Sequence, residues 1–310
     1  MKNNQAKEEK LESIKVDKPI EKKEEDLFNR SLVVKQLNTI IKNYKEEDSI
    51  VFGVIGDWGS GKTSFINMVL EDFKNDENFI IVKFNPWNIS TRKQLISDFF
   101  TKLSVEIGKK NIINFEKIGN RLEILSNIFK PLSYIPIPEL SIFTNISSKA
   151  LGDVGKALKK FAEANKKDLE TIKENINNYL TDTEFNKKII IVIDDLDRLA
   201  DTDIQKIFQL VRSIADFKNT IYILSYDEEI VSKALDKIQK DKGGKYIEKI
   251  VQVPIKLPKI SQENLRDIFV KKLETINIRY ETLYKQDFIE AIKSNNFANA
   301  FKNIRDMERF

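Results

Sequence analysis

The chain has 310 residues, 52 of them Lys or Arg and 48 Asp or Glu, for a formal net charge of +4. It holds neither cysteine nor histidine, which excludes disulfides, thiolate metal sites and imidazole catalysis and leaves Mg²⁺ on oxygen ligands as the available metal chemistry. So small a surplus on a mixed-sign surface gives no indication of a nucleic-acid partner, and the Lys/Glu-rich start without a signal peptide suits a cytoplasmic protein.

Residues 1–25 are Lys/Glu-rich with scattered apolar positions and read as a disordered tail. From Asp26 the spacing of Leu27, Phe28, Leu32, Val33, Leu37, Ile40, Ile41 and Tyr44 predicts an amphipathic helix. Core packing is the simpler role of Leu27, Phe28 and Arg30. A short buried strand follows over 50–55. Next comes Gly56-Asp57-Trp58-Gly59-Ser60-Gly61-Lys62-Thr63, which spells G-x-x-x-x-G-K-[ST], and then helical spacing through Phe65, Val69, Leu70 and Phe73. Strand, glycine-rich turn and helix are the context in which this motif binds phosphate. Glycines let backbone N–H groups turn inward, and the helix N-terminus adds partial positive charge. Lys62 would reach the β- and γ-phosphates, and the Thr63 hydroxyl, followed by Ser64, would ligate Mg²⁺.

A second strand over 79–84 leads into Asn85-Pro86-Trp87, where Trp87 is expected to pack in the core beneath the loop, with a place on a partner surface as the alternative. From Lys62 to the next strand lie far more residues than one strand and one helix need, and the excess, about 105–182, reads as an insertion. Its middle, 131–143, is apolar but too rich in proline for a transmembrane span. It is expected to be buried or to dock a protein partner, with self-association or peripheral membrane contact as the alternatives. The stripe Leu151, Val154, Leu158, Phe161, then Leu169, Ile172, Ile176 and Tyr179 predicts a long helix, an arm projecting from the core.

Lys188-Ile189-Ile190-Ile191-Val192-Ile193 is rich enough in β-branched residues for a strand buried on both faces of a parallel sheet. It ends in Asp194-Asp195-Leu196-Asp197-Arg198, where open α/β sheets place ligands. Asp194 is the candidate for the Mg²⁺ shell and Asp195 for orienting the attacking water. Arg198 would either serve the γ-phosphate or pair with Asp197 or Asp201 to hold the loop. A further strand over 220–225 ends at Ser225 and Asp227. Ser225 is a candidate nucleotide sensor, and Asp227 is either its rival or a helix cap. After a fifth strand over 250–255, Ser261 caps a helix containing Leu265, Ile268, Phe269 and Leu273. Helical spacing recurs around 286–294 and 300–310 and stops at Phe310 without cap or breaker, as a truncated chain would.

In order, the Gly56–Ser64 block with its tryptophan, Phe84-Asn85-Pro86-Trp87, Asp194-Asp195-Leu196-Asp197-Arg198, Tyr246 to Pro254 and Asn303 to Phe310 resemble a KAP-family P-loop NTPase. The resemblance implies an ATPase of the additional-strand type with a five-stranded parallel core sheet of order 5-1-4-3-2, a helical insertion and a C-terminal helical lid. The expected division is 26–260 for the core and 261–310 for the lid. It implies Mg²⁺-dependent ATP hydrolysis and, in bacteria, defence against phages or plasmids. Carried over, Arg305 matches an arginine that would sense nucleotide from the lid, a structural ion pair being the other reading. For Leu27, Phe28 and Arg30 the alternative, contact to a base, is implied only by similarity to ATPases whose helix before the first strand lines such a pocket.

Overall fold

Five parallel strands form one sheet in the order β2-β3-β4-β1-β5, with β1 (Ile50–Ile55), β2 (Phe79–Phe84), β3 (Lys188–Ile193), β4 (Thr220–Tyr226) and β5 (Val253–Lys256). This computed structural model describes residues 18–88, 95–108, 118–124, 170–183, 185–214, 216–239, 242–275 and 290. The sheet order is the one expected. β1 pairs with β4 from Ile50 opposite Ile221 to Ile55 opposite Tyr226, and β2 pairs with β3 from Phe79 opposite Lys188 to Phe84 opposite Ile193. The C-terminal ends of β1, β3 and β4 therefore lie side by side.

Strand alternation divides the core. Val51, Ile80, Val82, Ile191, Ile193, Tyr222 and Leu224 join the main hydrophobic cluster on one face. That cluster takes Phe99, Phe100 and Leu103 from α3 (Leu95–Gly108), Ile118 and Leu122 from α4 (118–124), and Ile172, Ile176 and Leu180 from α5 (170–180). It also takes Ile204, Ile207 and Phe208 from α6 (Asp201–Gln209), which runs on into a π-helical turn at Leu210–Ile214. Phe52 and Val54 are buried on the opposite face, where α2 (Lys62–Glu71) packs on β1 and β4, with α1 (Ser31–Asn43) against α2. The Asn38 amide joins the two helices, donating to Val69 O (3.2 Å) and Asp72 Oδ2 (2.6 Å). α7 (Glu228–Gln239) and α8 (Gly243–Glu248) precede β5.

The described residues fall into two compact units, one of them Glu21–Ile260. The other includes α9 (Gln262–Thr275), whose first turn Ser261 caps by accepting from Asn264 N (3.1 Å).

Several expectations are corrected. The first helix starts at Ser31, not Asp26, because the Asp26 carboxylate accepts from Ser31 N (2.8 Å) and Asn29 has a φ of 54°. The later start turns Val34, Leu37, Asn38 and Ile41 inward and leaves Leu27, Leu32, Val33 and Ile40 exposed. Residues 23–25 form a 3₁₀ turn tied to α2 by Lys23 N donating to Glu71 Oε2 (3.0 Å) and by the Lys23–Asp72 ion pair. The expected tail is therefore ordered at its inner end. α5 is built into the main core, so the expected projecting arm does not include 170–180. Residues 1–17, the apolar stretch 131–143, the stripe 151–169 and the helices around 286–294 and 300–310 lie outside the described residues. β5 begins at Val253, since the N–H groups of Ile250 and Val251 are taken by Ile247 O at the end of α8 (2.9 and 2.8 Å). Trp87 is 46% exposed because Pro86 takes the buried place and Asn85 Oδ1 accepts Trp87 N (3.0 Å), fixing a turn that faces the ring outward.

Candidate nucleotide site

The loop after β1 turns on two left-handed glycines, Gly59 (φ 79°) and Gly61 (φ 82°), and Gly61 is the N-cap of α2. Side chains other than glycine rarely adopt that conformation, which explains the residue type at both places. Ser60 N donates to Asp57 O (3.1 Å) and Phe65 N to Gly61 O (3.0 Å), so the loop closes on itself and passes directly into the helix. The first N–H groups of a helix have no intrahelical acceptor, so they and the loop amides are available to an anion. Lys62 is 7% exposed and its ammonium donates to Gly56 O (2.9 Å), Asp57 O (3.3 Å) and Asp197 Oδ2 (3.2 Å). Asp57 itself lies outward, 3.0 Å from Lys259, and Trp58 is half exposed.

The acidic end of β3 meets this loop. Asp194 Oδ1 accepts from Asp195 N (2.9 Å). Asp195 sits in the left-handed region (φ 59°, ψ 37°) at the start of a 3₁₀ turn, Leu196–Arg198. Asp tolerates that conformation better than most residues, and the twist separates the directions of three nearby carboxylates. Arg198 pairs with Asp195, its Nε 2.9 Å from Oδ1 but off the line of a good hydrogen bond. It pairs with neither Asp197 nor Asp201, because Lys62 holds the first and Lys237 the second. Asn85, at the end of β2, donates from Nδ2 to Asp195 Oδ2 (3.3 Å). Burial and the neighbouring Asp194 push the Asp195 carboxyl above the ordinary carboxylate range, with Arg198 and the Asn85 amide opposing.

Ser225 lies opposite Val54 in the β4–β1 register, fully buried, its hydroxyl without a partner. Asp227 is a helix cap, its Oδ1 accepting from Glu229 N (3.0 Å) and Ile230 N (3.3 Å) at the start of α7. Arg305 lies outside the described residues. Sequence reasoning missed Asp197 as the partner of Lys62, since nothing in a string of four acidic and apolar residues says which carboxylate turns inward. It also missed Asn85 as the amide beside Asp195 and Arg30 as a contact of the loop backbone.

A family model described as the KAP family P-loop domain matches residues 30–310. The chain belongs to the KAP family. It is thus a nucleotide-binding P-loop domain. Among curated relatives, the phage T7 exclusion protein of Escherichia coli K12 is 25% identical over 279 residues, 84% of this chain and 37% of that protein. An uncharacterised ATP-binding protein of Methanocaldococcus jannaschii is 30% identical over 130 residues, 41% of this chain and 32% of that one. The chain spans about a third of the length of these relatives. Of solved structures, Cdc6p of Pyrobaculum aerophilum aligns with a TM-score of 0.40 at 16% identity, over 80% of this chain and 50% of that one.

The residues present fit a nucleotide with a magnesium ion. Ser60 Oγ, Asp197 Oδ1, Arg198 Nε and Ser225 Oγ are buried and without hydrogen-bond partners, and all belong to the loop or to the ends of β3 and β4. Buried polar atoms left in this way call for a ligand or an ion. Thr63 and Asp194 supply a hydroxyl and a carboxylate, the hard oxygen donors Mg²⁺ takes. Among the described residues no group of three or more carboxylates converges to hold a metal alone.

Proposed function

We propose that this KAP domain binds ATP with Mg²⁺ and hydrolyses it, serving as a molecular switch or assembly ATPase in cytoplasmic defence against phage. The observation that carries the reading is the convergence of Lys62 on Asp197 at 3.2 Å across 135 residues of chain, which sets the phosphate loop against the acidic end of β3. The loop amides and Lys62 would hold the phosphates, and Thr63 and Asp194 would hold the ion, which supplies charge neutralisation at the phosphates when bound. Asp195 would accept the proton of an attacking water, its raised pKa making it a better base than an ordinary aspartate. Arg198 and Ser225, and Arg305 from a lid over 261–310, would read the terminal phosphate. The likeness to a phage exclusion protein and to an ATP-binding protein supports the substrate and the setting.

A second reading, a nucleotide-binding scaffold with negligible turnover that joins a protein partner, is favoured by one observation. Asp195 is engaged by both Arg198 and Asn85, which restrains a base. Phosphate release from Mg·ATP against protein concentration separates the two, with Lys62→Ala and Asp195→Asn beside the parent chain. Turnover that both variants abolish supports hydrolysis. ATP binding without phosphate at any concentration removes hydrolysis from the proposal and leaves the scaffold. A rate per subunit that rises with concentration adds self-association and an arginine acting across it.

A further inference from the structure

We infer that Arg30 is a positioning residue for the phosphate loop, setting the Ser60–Gly61 peptide so that its N–H faces the bound phosphates. The inference rests on the nucleotide reading of the site and assigns a residue outside the motif. Arg30 precedes α1 and is 5% exposed, yet its guanidinium is spent on backbone carbonyls. Nη1 donates to Ser60 O at 2.7 Å and Nη2 reaches Pro258 O at 3.5 Å, beyond the end of β5. The group is seated 5.2 Å above the ring of Phe28, a distance at which a cation and an aromatic face attract.

The consequence follows from the planarity of the peptide. In a trans peptide the C=O and the next residue's N–H point in opposite directions. Drawing Ser60 O toward Arg30 therefore turns the Gly61 N–H away from Arg30. On the far side of Gly61, Phe65 N holds the Gly61 carbonyl within the first turn of α2 (3.0 Å). Both peptide planes of the left-handed glycine are thus fixed from outside the cradle. The approach is close: a Cβ on Gly61 would lie 3.0 Å from Nη1, so Arg30 would have to give by a few tenths of an ångström, and it is the φ of 82° that favours glycine there. Burial lowers the pKa of Arg30, with Asp26 opposing, and the guanidinium stays charged in this setting.

A group that orders the cradle acts on every nucleotide the cradle holds, whereas one that touches the terminal phosphate acts on the triphosphate alone. The test titrates fluorescent N-methylanthraniloyl ATP and ADP, with Mg²⁺, into the whole chain, its Arg30→Met variant and its Arg30→Lys variant. The expected result is a loss of about tenfold for ATP and ADP alike in Arg30→Met, the size of one charge-assisted hydrogen bond. Arg30→Lys, which keeps a cationic donor, should recover part of it. The melting temperature without added nucleotide should stay within about 2 °C of the parent. Binding by Arg30→Met within twofold of the parent overturns the inference, as does a loss confined to ATP or one that follows the melting temperature. If Arg30→Met does not fold, Arg30→Lys decides: an equal weakening of both nucleotides supports the inference and unchanged binding overturns it. If the parent chain binds neither nucleotide, this inference and the nucleotide reading fall together. If the parent binds and the variants bind equally well, only the role of Arg30 falls.

Discussion

Asp197 and Lys62 form an ion pair at 3.2 Å with side chains 2% and 7% exposed, and its removal tests whether the site is organised as described. At an effective dielectric constant of about 20, two unit charges at 3.2 Å attract by about 5 kcal/mol before desolvation is counted. Burying both charges offsets most of that, so the pair stabilises little relative to apolar residues of the same shape. Removing one partner is different, because it leaves a charge in a dry site, at a cost of about 3–5 kcal/mol. The two single losses should be unequal. With Asp197→Leu, Lys62 keeps the carbonyls of Gly56 and Asp57, placing the cost near the low end, about 3 kcal/mol. With Lys62→Met, Asp197 loses its ammonium while its other oxygen already has no partner, placing the cost near the high end, about 5 kcal/mol. The double variant should cost no more than the smaller single loss, a coupling of about 5 kcal/mol or more, and should bind no nucleotide. Urea unfolding followed by circular dichroism, without added nucleotide, measures all four proteins. Single variants within about 1 kcal/mol of the parent, or a double variant at the sum of its singles, would refute the reasoning, since contacting residues must couple.

If Asp195 is the base, turnover should fall on the acid side at a pH above the ordinary aspartate range, because burial and Asp194 raise its pKa and only the ionised form accepts a proton. Arg198→Gln and Asn85→Ala each remove an influence that lowers that pKa, so each should move the acid limb to higher pH in a rate profile; a limb that stays or moves down removes Asp195 from this role. Gly243→Ala should lower stability by about 2 kcal/mol in thermal melts, since a Cβ there would lie 2.2 Å from the backbone oxygen of Ser232. Gly244→Ala beside it meets nothing nearer than the Ser232 hydroxyl at 3.6 Å and should be tolerated, so equal losses in the two would contradict the packing of α8 on α7.

The sequence by itself determined the parts whose physics is local. The motif fixes glycines at Gly56 and Gly61, and Gly61 is left-handed here, as is Gly59 within the loop. A strand covered on both faces needs a run such as Ile189 to Ile193, whereas the sheet order came only as what the family resemblance implies. Ser261 caps the helix that follows it because a cap is settled within four residues, while Asp227, open in the sequence between sensor and cap, is a cap in the structure. Only the tertiary structure decided which partners meet across long separations. Asp195 and Asp197 are alike in sequence, yet a left-handed turn at Asp195 directs one carboxylate to Arg198 and Asn85 and the other to Lys62. Arg30 reads as a core position or a candidate base contact within a helix until the fold brings Ser60 to it. Trp87 reads as core until a side-chain hydrogen bond from its own turn faces it outward. Pairings of this kind depend on which side chain wins a shared, partly buried space, and that competition exists only once the sheet has assembled the competitors.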